Sequence, residues 1–267
     1  FIDFKKIKNS ADKLKNYDIV ISHFYPMNWI ASYAKKMYDI KYVYYNHGIG
    51  YSKLFSNLFE MAYMNLFRFL NRLSLKNVDS AISISKFMQK ELKGETGLDS
   101  KIIYDEIDKK RFRKGIDGRK TRKMLRLKDN EKLLLFVGRL SPHKNVHTLI
   151  DIFDKVNEKI QNAKLLIIGK PTFKNYYEKL KRIANKNVIF KEFVSDKELP
   201  YYYAAADLYV TASLWEGFNL PAAEAQACGK KVVAFDVCSH PEVIKNGLLV
   251  KKDDVKGFTE AVIKLLR

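Results

Sequence analysis

The chain has 267 residues, 47% of them hydrophobic, with 49 Lys and Arg against 30 Asp and Glu for a formal net charge of +19. That length and apolar content exclude a disordered chain and suit two α/β domains with a core each. No apolar run is long enough to cross a bilayer, and Cys228 and Cys238, the only cysteines, imply neither a disulfide framework nor a zinc module and leave a reducing compartment as the default. The positive excess asks for an anionic partner: nucleic acid, an anionic membrane surface or a phosphorylated substrate.

Residues 1–15 form a charged, helix-compatible stretch, followed by an apolar strand of buried type at 17–22 that ends at His23. A helix is predicted over 28–38 and a second strand over 41–46, ending at His47 and the glycines Gly48 and Gly50. Strand, helix, strand at this spacing is a βαβ unit and predicts a parallel sheet, whose functional loops lie at the carboxyl ends of its strands. His47 and His23 both fall there; His47 is the stronger candidate because glycine lets backbone approach a ligand, although a histidine at a strand end is more often structural.

From 54 to 75 the pattern is helical and unusually apolar, with Phe55, Leu58, Phe59, Tyr63, Leu66, Phe67, Leu70 and Leu73 recurring at three and four. Core packing accounts for most of it. Met61, Met64 and Phe69 widen the stripe and Arg68, Arg72 and Lys76 lie nearby, so rest on a bilayer surface is the competing reading. A third strand follows at 79–85, a helix to Lys93 and a fourth strand at 101–104.

Residues 109–128, KKRFRKGIDGRKTRKMLRLK, read as a solvated interdomain connection with a short basic helix. Nucleic-acid binding would want aromatic residues among these charges, and only Phe112 is present. The alternation then restarts: strands at 132–137, 164–168, 187–190, 207–212 and 231–235, helices at 145–160, 176–185, 196–206 and 220–228, and a last helix from Val255. This is a second doubly wound domain.

The stretch 213–224, SLWEGFNLPAAE, is the hardest to explain as packing. It lies between a strand and a helix that Gly229 stops, and Pro221 suits the first helical turn, leaving backbone N–H groups of 217–221 for an anion. Glu224 is expected in the first turn, leaning back toward that corner, with Glu216 at its other lip. Two carboxylates beside an anion site fit hydroxyl groups carried on a phosphorylated ligand, as in a sugar nucleotide. The plainer alternative has Glu224 complementing the helix dipole and Glu216 solvated. Arg139 and Lys144, at the carboxyl end of the 132–137 strand, share this sheet edge and could neutralise a diphosphate.

Taken in order, GRLSPHK at 138–144, YAAAD at 203–207, EGFNLPAAE at 216–224, ACG at 227–229, PEV at 241–243 and NGLLV at 246–250 resemble the family 4 retaining glycosyltransferases of the GT-B fold, over nearly the whole chain. The resemblance implies two doubly wound Rossmann-like domains facing across a cleft: an acceptor-side domain at 1–108, incomplete at its start, a basic linker at 109–130, and a nucleotide-sugar-binding domain at 131–267 that lacks its crossing helices. It implies transfer from a nucleoside-diphosphate-sugar to an acceptor hydroxyl with retention, using neither metal nor cofactor. Arg139, Lys144 and the residues Gly217, Phe218, Asn219 and Leu220 would bind the donor diphosphate. Glu216 would meet sugar hydroxyls, Glu224 the ribose, and the backbone of Phe193 and Val194 the base, while His47 would reach the transferred sugar.

Expected partners are a nucleotide-sugar, a glycan or lipid-linked acceptor and an anionic membrane surface, without nucleic acid, in a cytoplasmic or peripheral cytoplasmic-face location. Four positions depart from the family pattern: Asn145 and Glu192 replace glycines, Asp105 and Glu106 replace Asn-Gly, and His240 stands where a small residue is usual. A same-fold sugar-nucleotide epimerase or phosphorylase, and a basic nucleic-acid-binding protein on a GT-B shell, are the alternatives. The phosphorylase would need a lysine for a pyridoxal cofactor, and the epimerase would lack the Glu, seven residues, Glu pattern.

Overall fold

The computed structural model describes residues 3–48 and 58–267. They fall into two compact units, Phe1–Asp105 and Glu106–Arg267. In the first unit the elements run α1 (Phe4–Asp12), β1 (Ile19–Ser22), α2 (Met27–Tyr38), β2 (Lys41–Asn46), α3 (Leu58–Ser74), β3 (Ser80–Ser83), α4 (Lys86–Thr96) and β4 (Lys101–Ile102). The four strands pair in parallel in the order β1-β2-β3-β4. Local signals set the helix ends. Ser85 accepts from the Met88 N–H at 3.1 Å to open α4, and Gly97, left-handed at φ 76°, closes it.

Two expectations change in this unit. The apolar run at 17–22 predicts a buried strand, but β1 pairs with β2 alone among the described residues, and Ile19 and Ile21 on one face are each 53% exposed. An edge strand is covered on fewer sides than a central one. The helix expected at 54–75 spans 58–74, and Gly50 and Phe55 lie outside the described residues. Its apolar residues do not all pack: Leu58, Phe59, Tyr63, Leu66 and Phe69 are 50% to 82% exposed. A sheet covers one side of a helix, and this helix is apolar well beyond that side.

The second unit contains α5 (Arg119–Met124), β5 (Lys132–Val137), a 3₁₀ turn (Pro142–Lys144), α6 (Val146–Lys159), β6 (Ala163–Ile168), α7 (Lys174–Ile183), β7 (Val188–Lys191), α8 (Leu199–Ala205) and β8 (Leu208–Thr211). It continues with α9 (Leu220–Ala227), β9 (Lys231–Phe235), α10 (His240–Val243), β10 (Gly247–Val250) and α11 (Val255–Leu266). All six strands are parallel, in the order β10-β9-β8-β5-β6-β7. Continuous apolar runs make β5, β6 and β8 central, with helices on both faces. One core layer joins α6 and α11 to the sheet through Phe153, Val156, Phe235 and Phe258, and the other joins α8 and α9 through Tyr202, Tyr203, Ala222 and Ala225. The strand β10 was not expected from the sequence.

The basic segment expected as a solvated linker packs on the second unit. Phe112 is 1% exposed and meets Tyr203 edge-on, with ring centroids 5.8 Å apart. A Cβ at Gly118 would lie 2.4 Å from the Ala205 nitrogen, so backbone approaches backbone there. Arg122 donates to the carbonyls of Ala205 and Glu131 and pairs with Asp207. Its other cations are exposed, while Phe112, Gly118 and Arg122 anchor it. Phe112→Ala is expected to destabilise the second unit by about 3–5 kcal/mol in urea unfolding; a solvated position would lose no more than ~0.5 kcal/mol.

Candidate functional site

Strand order in the second sheet reverses between β5 and β8, with β6 and β7 on one side and β9 and β10 on the other. Chains leaving the carboxyl ends of β5 and β8 diverge, and the crevice at such a reversal is where open parallel sheets bind ligands. The segments 138–145 and 212–219 leave from these two ends.

The two segments are tied together. Leu214 N–H donates to the His143 carbonyl at 2.8 Å, and Lys144 Nζ donates to both Glu216 carboxylate oxygens at 2.8 Å each. Glu216, read from the sequence as a lip of the corner, is only 6% exposed and lies inside it. Burial pushes its carboxyl up, but the Lys144 charge and hydrogen bonds from Lys144 and Ser213 outweigh burial and hold it below its ordinary value. Arg139 is exposed on the same segment. Asn145, which replaces a glycine, takes the left-handed conformation at φ 54° and accepts from the Thr148 hydroxyl at 2.7 Å. Asparagine is the side chain best suited to that backbone after glycine, so the departure is compatible with the left-handed turn.

On the other side of the crevice Asn219, left-handed at φ 76°, caps α9 by accepting from Ala222 N–H at 3.3 Å. Pro221 has no N–H and that of Ala222 serves the cap, so position 221 offers no group to an anion. Glu224 is the fifth residue of α9 and lies in its second turn, not its first. Its Oε2 accepts from the Tyr203 hydroxyl at 2.7 Å, and burial raises its pKa. Phe193 is exposed beneath Lys170, whose Nζ is 5.2 Å from the ring centroid, and Val194 is buried in the α8 and α9 core layer.

In the first unit His47 follows β2 and His23 follows β1, and the structure joins them: His23 Nδ1 lies 2.8 Å from His47 Nε2. The His47 ring also stacks on His23, Phe24 and Tyr45 at 4.9 to 5.1 Å. Burial, then the neighbouring His23, lowers the His47 pKa. Among the described residues no group of three or more His, Cys, Asp or Glu is placed to hold a metal ion.

Sequence reasoning missed three supporting side chains. Tyr203 orients Glu224, although only its place in the YAAAD motif signalled it. Ser213 donates to the Glu216 carboxylate, and His240, marked in the sequence only as a departure from the family pattern, bonds the Asn219 side chain at 2.8 Å.

His143, His240, His47 and His147 all have lowered pKa values, His143 to about 4 through burial and then the adjacent Lys144. An unfolded histidine protonates near 6.5 while these stay neutral, so the unfolded state binds more protons and stability falls as pH drops through 6.5, for His143 until about 4. The melting temperature is expected to fall between pH 7 and 5, and more shallowly in His143→Asn; identical slopes would contradict the assignment.

Residues 117–267 match the family model for Glycosyl transferases group 1, and residues 2–111 that for Glycosyltransferase Family 4. The uncharacterized glycosyltransferase MJ1607 of Methanocaldococcus jannaschii is 29% identical over 94% of this chain and 66% of its own length. The O-antigen chain mannosyltransferase RfbU of Salmonella typhimurium is 29% identical over 73% of this chain and 53% of its own. The chain thus spans from about half to about two thirds of the length of these curated relatives. Anabaena HepE in complex with UDP-glucose superposes with a TM-score of 0.83 at 22% identity, over 97% of this chain and 71% of that one. That likeness bears on fold: two Rossmann-like domains of the GT-B type.

Proposed function

This chain belongs to the glycosyl transferases of group 1, and from that premise we propose that it moves a hexose from a nucleoside-diphosphate donor to an acceptor hydroxyl, with retention of anomeric configuration. The observation that carries the reading is the meeting of Lys144 and Glu216 where the strand order reverses. Charge growing on a departing diphosphate is the main barrier such a reaction presents, and preorganised cations lower it most. Arg139, Lys144 and the backbone of 217–220 supply that field, with no metal or cofactor in the reading. Lys144 then serves two anions: it holds the Glu216 carboxylate toward the sugar hydroxyls while facing the diphosphate. Glu224 takes the ribose through Oε1, since Tyr203 occupies Oε2. The backbone at Phe193 and Val194 takes the base.

A thermal-shift panel of UDP, GDP, ADP and their sugars tests the donor site. Saturation at 100 times Kd stabilises by about 2.7 kcal/mol, a shift of a few degrees for one base. Glu216→Ala is expected to lower transfer by about a hundredfold or more, and the anomeric signal of the product by NMR reads retention. A panel with no stabilising nucleotide overturns the reading.

The likeness to an O-antigen chain mannosyltransferase supports a role in cell-surface glycan or glycolipid synthesis, with a lipid-linked or glycan acceptor on the first unit. No helix of the described residues is long and apolar enough to cross a membrane. The exposed side chains of Tyr63, Leu66 and Phe69 on α3, with Arg72 and Lys76 at its end, instead suit peripheral contact with an anionic surface at the cytoplasmic face. Co-sedimentation with anionic vesicles at physiological salt is expected, falling severalfold in Leu66→Ser/Phe69→Ser; equal recovery on neutral vesicles, or none on anionic ones, rejects the membrane contact.

A further inference from the structure

His240 is fully buried at the start of α10, immediately beneath the Glu216–Asn219 turn. Its Nδ1 lies 2.7 Å from the Phe235 carbonyl, which can only accept, so Nδ1 carries the proton. Its Nε2 is then a lone pair, and the Asn219 side-chain nitrogen donates to it at 2.8 Å. That bond fixes which end of the Asn219 amide is which, because Asn219 Oδ1 is already turned to the Ala222 N–H. Asn219 sits at φ 76° and ψ 62°, a backbone that a side chain other than glycine enters at a cost unless its surroundings hold it there. The preceding residue, Ser239, is also fully buried and donates from Oγ to the Glu216 carbonyl at 3.0 Å. The turn after β9 thus grips the front of the 216–219 loop through Ser239 and its back through His240.

We propose that His240 is a positioning residue for the donor site, holding Asn219 left-handed so that the 216–219 backbone keeps the shape a diphosphate requires. This rests on the donor-site reading above. His240 itself touches no ligand; it acts through Asn219.

The experiment measures, on the full chain by calorimetry, the Kd of whichever of UDP, GDP or ADP stabilises the wild type. If none binds the wild type, the donor-site reading fails before His240 is tested. Given binding, His240→Leu fills the space but bonds neither partner, and is expected to weaken the nucleotide at least fivefold, the range of a buried donor left unpaired. His240→Gln keeps one donor and one acceptor and is expected to stay within about threefold of wild type. A merely structural histidine would lower the melting temperature in both variants and leave Kd unchanged. In an Asn219→Gly background, which takes the left-handed backbone without help, His240→Leu is expected to cost little more. Equal losses in both backgrounds, or an unchanged Kd in folded His240→Leu, overturn the proposal. Should His240→Leu fail to fold, Asn219→Ala reads the same contact from its other side: weakening of at least fivefold that Asn219→Gly recovers supports it, and no weakening overturns it.

Discussion

The second unit is organised around the buried contact between Lys144 and Glu216. Removing two charges from water costs several kcal/mol each, and the cost is offset only where geometry and additional hydrogen bonds are good. Here one ammonium reaches both carboxylate oxygens and Ser213 adds a further bond. Such a pair contributes less to net stability than to specificity of arrangement, because either partner left alone is strongly unfavourable. It binds the segment after β5 to the segment after β8, and the reversal of strand order puts both segments at one crevice. The backbone bond between Leu214 and His143 and the left-handed turn at Asn219 then have one arrangement to settle into.

Much of this was legible in the sequence, for identifiable reasons. Continuous apolar runs such as 132–137 and 164–168 suit central strands of a parallel sheet, and the helices between them fix the alternation. From alternation alone follows the edge at which Arg139, Lys144, Glu216 and Glu224 must lie. The contact itself did not follow: Lys144 and Glu216 are 72 residues apart, and nothing in either segment shows whether a glutamate next to a glycine faces water or a lysine. Glu224 falls in the second turn although the helix starts at 220 as expected, because at 3.6 residues per turn a fifth residue has already passed the first. β10 escaped because its four residues, Gly247–Val250, carry no period of their own.

The misreadings share a cause. Charge density at 109–128 marked a solvated strand of chain, yet one buried phenylalanine and one close-packed glycine dock it on α8. The apolar density of α3 marked core, yet half of it faces outward. Average composition says which residues tolerate water; a single anchoring side chain decides where the backbone goes. In the first unit the hydrogen-bonded pair of His23 and His47 is likewise hidden in the sequence, since the two meet only because β1 and β2 are parallel neighbours.

Both crevice-lining segments turn through a left-handed residue that is asparagine: Asn145 after β5 and Asn219 after β8. Glycine at these places would reach the same backbone more freely, but it would also leave the unfolded and unliganded loops with more conformations to lose. Each asparagine removes part of that freedom, on the order of 0.5–1 kcal/mol, and its side-chain oxygen closes a local hydrogen bond in exchange. Less disorder then remains to be frozen when a ligand arrives, so a larger share of every contact appears as affinity. The two turns make the crevice stiff before anything enters it.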